Sequence, residues 1–159
     1  MKYYKDTNNK PYVFEDNVTA EIIAKVEATH NTTLTKITKA DYEAIIAPTF
    51  TELKTTKLSV LEIAYINANE LDISYMNTTF QADTKSQDLI VKVLSAGSVP
   101  SGFFWIDKAN NQVTMTYAEL QGLSGAILTR NQTNFIKFQG LKSQVKLAKT
   151  QADLDKIVW

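Results

Sequence analysis

Apolar and polar positions follow two different rhythms along this chain. Near the start, Lys2–Lys5 and Pro11–Glu15 are short runs rich in Tyr, Val and Phe, joined by Asp6-Thr7-Asn8-Asn9-Lys10. Asparagine tolerates the left-handed backbone of tight turns, so the pattern predicts a β-hairpin, with Pro11 at a strand start where its missing N–H costs least. Thr19 then caps a helix with Ile22, Ile23 and Val26 on its apolar side, ending near His30-Asn31, and Leu34–Ile37 is a third short strand. Thr38 and Asp41 have capping spacing ahead of a two-turn helix whose Tyr42, Ile45 and Ile46 are expected to face inward. Pro48 closes it, because the residue before proline is pushed out of the α region.

From Thr51 the rhythm becomes helical. Leu58, Leu61, Tyr65 and Ala68, closing on Leu71, make one stripe. Ile73–Met76 and Thr79–Gln81 predict a hairpin around Asn77-Thr78, and Thr84 is expected to cap a helix with Leu89, Ile90, Val93 and Leu94 apolar and Gly97 as its stop. Phe80 is expected to anchor the hairpin in the core, with Ser86-Gln87 satisfying the first turn of that helix. After a loop at Pro100–Gly102, Phe103–Ile106 and Val113–Met115 flank a second turn, Asp107–Asn111. Thr116 caps the longest helix, Tyr117 to about Lys149, on the order of 50 Å long. Its stripe is Leu120, Leu123, Ile127, Phe135, Phe138, Leu141, Val145 and Ala148. Asn131 and Asn134 interrupt it, so a break near Arg130–Asn134 is expected. The stripe serves either the chain's own core or, in part, a partner. Thr150 and Asp153 repeat the capping signal before Leu154, Ile157 and Trp159. The fold class is α+β: a small hairpin/helix module over residues 1–50, then a mainly helical domain over 51–159 with two short hairpins and a long C-terminal helix.

Composition narrows the function classes. Seventeen Lys and Arg balance seventeen Asp and Glu, so the basic excess that nucleic acid attracts is missing. There is no cysteine, hence no disulfide, thiolate nucleophile or Cys-type metal site. No apolar run approaches the roughly 18 residues of a membrane span. The N-terminus turns polar at once, which predicts no secretion leader, and the lack of cysteine fits a cytoplasmic origin.

Candidate chemistry is sparse. His30, the only histidine, has no second His or Cys beside it, so no metal or cofactor is expected. Asp83 and Asp88 flank a helix start, where the dipole favours negative charge, and read as capping rather than as a catalytic pair. Ser86 and Ser124 lack the Gly-x-Ser-x-Gly setting, and no glycine-rich phosphate loop is present. The triplets beginning at Asn17, Asn31, Asn77 and Asn131 match the glycosylation pattern by coincidence in an Asn/Thr-rich chain. The candidate partner-binding residues are Tyr3, Tyr4, Tyr12 and Phe14. They either form an aromatic patch for protein contact or pack on the following helices.

Met1-Lys2-Tyr3-Tyr4-Lys5-Asp6 through Phe14-Glu15, with Leu34–Tyr42 and Pro48, resembles the opening of phage tail-fibre assembly proteins. Leu58 to Trp159 resembles a domain of unassigned function at the C-terminal ends of many phage tail-associated proteins. Phe80, Asp83, Ser86, Gln87 and Ile90, then Trp105, Thr150, Leu154, Ile157 and Trp159 carry that second resemblance. Together they imply a non-enzymatic assembly chaperone or accessory protein that binds a tail-fibre protein in the bacterial host cytoplasm. The alternative is a structural virion component, at the fibre attachment or baseplate, because the usual charged helical C-terminal half of an assembly protein is replaced here. The oligomeric state is open, with a trimer matching the symmetry of a trimeric fibre.

Overall fold

The computed structural model describes all residues, Met1–Trp159. They form two compact units, Met1–Thr49 and Phe50–Trp159. The fold is α+β, with six helices, small antiparallel sheets and a long C-terminal helix.

In the first unit, β1 (Lys2–Lys5) pairs antiparallel with both β2 (Pro11–Phe14) and β3 (Thr35–Ile37), giving the order β2-β1-β3. Asp6 ties the β1–β2 turn. Its Oδ1 accepts from the backbone N–H of Asn8 at 2.8 Å and of Lys10 at 2.9 Å, and Asn9 adopts φ 61°. Helix α1 (Ala20–His30) is capped by the Thr19 hydroxyl, which accepts from the Ile22 N–H. It ends on Asn31 in the left-handed region, whose N–H returns to the last carbonyls of the helix, the role glycine usually fills. Thr38 and Asp41 form the capping box of α2 (Lys39–Ile46). Ile22 and Ile46, expected to face inward, are instead exposed, because helices this short in so small a unit have a narrow covered face.

The second unit is built on two antiparallel helices, α3 (Phe50–Asn69) and α5 (Tyr117–Leu147). Lys54 meets the Lys146 carbonyl at one end and Asn69 meets Asn134 at the other. Along α5 lie two separate apolar clusters. Towards its C-terminus, Leu61 packs with Phe138, Leu141, Val145 and, from the α6 (Gln151–Asp155) segment, Leu154 and Ile157. The Tyr65 ring stacks on Phe138 at 4.9 Å. Towards its N-terminus, Leu120, Leu123 and Ile127 pack with Phe80, Ala82, Ile90 and Met115. These come from the β4–β5 hairpin (Ile73–Tyr75, Thr78–Phe80), α4 (Thr84–Ser95) and the end of the β6–β7 hairpin (Phe104–Ile106, Gln112–Thr114). No helix is long and apolar enough to cross a membrane.

Several sequence expectations are corrected here. The 31-residue helix α5 does not break at Arg130–Asn134. Phe135 leaves the stripe and is exposed, as is Leu89 of α4. The β4–β5 hairpin turns on Met76-Asn77, one residue earlier than expected, with φ 50° and 58°. Positive φ at both central residues is the two-residue turn that matches strand twist. The N-cap of α4 is Asp83, not Thr84; its Oδ1 accepts from the Ser86 N–H at 2.8 Å, while the Thr84 hydroxyl donates to Glu70 at 2.7 Å. Helix α3 ends at Asn69, leaving Leu71 outside it and exposed.

Candidate interaction surfaces

Strand pairing decides where the aromatic residues of the first unit point. Successive side chains of a strand face opposite ways, and residues paired across strands share a face. Tyr4 pairs with Tyr12 and Lys2 with Phe14, so these four side chains share one face of the sheet. Tyr3, paired with Val13 and Ile37, lies on the other. Tyr3 packs against Tyr42 of α2, with ring centroids 4.9 Å apart. On the opposite face, Tyr4 meets Phe14 edge-on at 5.6 Å, and Tyr12 lies 6.0 Å from the His30 ring at the end of α1. The Lys10 ammonium sits 5.5 Å from the Tyr12 centroid. All four candidates are half-buried. Tyr4, Tyr12 and Phe14 therefore form one aromatic cluster, and Tyr3 stands apart from it.

Among the candidate polar residues, Asp83 is occupied with capping, whereas Asp88, also expected to cap, lies beyond the first turn of α4. Hydrogen bonds from the Ser86 backbone hold the Asp83 carboxyl below its ordinary pKa. The Thr38 and Thr116 caps do the same for Asp41 and Glu119, and the Lys149 backbone N–H, followed by the Thr150 cap, does so for Asp153. Asp107 is lowered by the side chain and backbone of Asn111 across the β6–β7 turn. His, Asp and Glu nowhere gather in a group of three suited to a metal ion.

One polar cluster was not foreseen. Between the two apolar clusters of the second unit, Arg130 donates to the backbone carbonyls of Asn69, Leu71 and Ala82. Gln87 of α4 donates to the same Asn69 and Ala82 carbonyls at 2.9 and 2.8 Å, so it serves the end of α3 rather than only its own first turn. Asn131 bridges the two, accepting from Arg130 Nε at 3.1 Å and donating to Gln87 Oε1 at 3.0 Å. Asn134 donates to the Asn69 side chain at 2.8 Å. Burial lowers the Arg130 pKa from its ordinary value. Every partner is a carbonyl or amide, and no buried side-chain polar atom lacks a hydrogen bond. The cluster closes the C-terminus of α3 and joins three chain segments.

Those segments sit inside a recognised sequence family. The model of the family described as Domain of unknown function (DUF4376) matches residues 52–158. The chain belongs to this family. Nothing matches among curated proteins or solved structures. The DUF4376 match contains both apolar clusters and the Arg130 cluster. The aromatic sheet of the first unit lies outside it.

Proposed function

We propose that this chain is a non-catalytic accessory protein of phage tail-fibre assembly, acting through protein contacts made by its first unit. The observation that carries the reading is the half-exposed cluster of Tyr4, Tyr12 and Phe14 on one face of a three-stranded sheet. It lies in the stretch that resembles tail-fibre assembly proteins. Tyrosine and phenylalanine offer large contact area at low entropy cost, which is why such residues anchor protein interfaces. The partner in this reading is the fibre chain in the bacterial cytoplasm.

Co-expression with the fibre gene tests the proposal directly. The expected result is soluble fibre trimer that depends on this protein and falls when Tyr12 and Phe14 are replaced by Ser. An unchanged trimer yield without the protein rejects the chaperone role. A second reading, a structural virion component, draws support from the DUF4376 region, which takes the place of the charged helical half expected of an assembly protein. Mass spectrometry of purified particles separates the readings, since stoichiometric presence favours the structural one.

A further inference from the structure

A groove between the N-terminal half of α3 and the C-terminal third of α5 has an apolar floor and a cationic rim. It encloses about 430 Å³, within the range of ordinary binding clefts. Leu58 and Val145 line it together with Lys54, Lys142 and Lys146.

Three observations separate it from an ordinary solvated lysine face. None of the three ammonium groups takes part in the ion pairs Met1–Asp16, Lys39–Glu43 and Lys108–Asp72. Two of the lysines are held along the helices. Lys54 donates to the Lys146 carbonyl at 3.0 Å and lies 4.9 Å from the Phe50 centroid, and Lys142 lies 5.3 Å from that of Phe138. The charge is also local. In a chain of zero formal net charge, residues 50–61 and 135–159 carry seven lysines against Glu52, Asp153 and Asp155, and Asp153 is committed to its capping box.

We infer that this groove docks an acidic segment of a partner polypeptide. An apolar side chain of that segment sits on Leu58 and Val145, and flanking carboxylates meet Lys142 and Lys146. Charge complementarity selects this occupant. Nucleic acid fits poorly, because neither arginine nor an aromatic ring lines the groove to supply bidentate or stacking contacts. The site lies wholly in the second unit and is independent of the tail-fibre reading.

The test is an amide NMR titration of the full chain with three short peptides alternating Leu with Glu, Gln or Lys, and with dodecanoate. The Glu peptide is expected to shift Leu58, Ser143 and Val145, to bind roughly tenfold more tightly than the Gln peptide, and to weaken with added salt. In the Lys142→Glu/Lys146→Glu variant, whose two sites are exposed, the preference is expected to pass from the Glu to the Lys peptide. That exchange shows the variant to be folded and the rim to be the reader. Equal binding of Glu and Gln peptides, shifts confined to other residues, or dodecanoate filling the groove at lower concentration than the Glu peptide each overturn the proposal.

Discussion

Tyr75 lies so close over Gly122 that a methyl group on residue 122 would overlap its hydroxyl and the tip of its ring. The hairpin β4–β5 rests on α5 through this contact. Helix propensity alone makes Gly122→Ala favourable by about 1 kcal/mol. Displacing a packed tyrosine costs about 1–3 kcal/mol. The overlap wins, so Gly122→Ala is expected to lower the urea midpoint. In a Tyr75→Ala background the sign reverses, because only the propensity gain remains. A double-mutant cycle measures that coupling.

Arg130 gives a second prediction. Arg130→Met keeps the stem but leaves the carbonyls of Asn69, Leu71 and Ala82 without their charged donor. The expected loss is about 2–3 kcal/mol by urea denaturation. Arg130→Lys restores part of it, since one ammonium cannot fork across three carbonyls.

Phe80 is fully buried in the cluster around Leu120 and Leu123. Phe80→Ala is expected to cost about 3–5 kcal/mol, and Phe80→Leu clearly less. Calorimetric melting temperatures of the two variants check both the size and the order.

Acid sensitivity follows from the caps. Asp83, Glu119 and Asp153 have folded pKa values below their ordinary ones, each chiefly through hydrogen bonds from backbone N–H groups. The unfolded chain therefore binds protons at higher pH than the folded one. The stabilisation is fully present above the ordinary carboxylate range and is lost as pH falls through it to the lower folded values. Melting temperature measured from neutral to strongly acid pH is expected to fall in that window. Asp83→Asn and Asp153→Asn should flatten the fall while lowering the neutral-pH value.

Most helix starts were legible because they depend on residues three apart: Thr38 with Asp41, and Thr150 with Asp153. The shifted turn at Met76-Asn77 was not. Methionine gives no local reason to adopt positive φ, and the register is set by pairing Ile73 with Phe80. Arg130–Asn134 misled for a related reason. Polar residues in an apolar stripe suggest a break when their partners are unseen, and the carbonyls that Arg130 meets lie 48 to 61 positions away in sequence. The aromatic positions of the first hairpin were readable, but not that β3 joins β1 or which helix end lies beside Tyr12. The cationic groove was invisible, since Lys54 and Lys146 are 92 residues apart.

The single helix shared by two cores has a consequence for which changes the chain tolerates. Each residue of an α-helix advances about 1.5 Å and turns about 100°. One residue inserted near Gln132 would rotate the Phe138–Leu141–Val145 surface by that angle against the Leu120–Leu123–Ile127 surface. It would also pull Arg130 and Asn134 out of reach of a common target. Gln132 is exposed and open to substitution, yet the number of residues between the cores is locked by phase. Substitution at Gln132 itself would be tolerated, whereas single-residue insertions and deletions there would be among the most damaging in the protein.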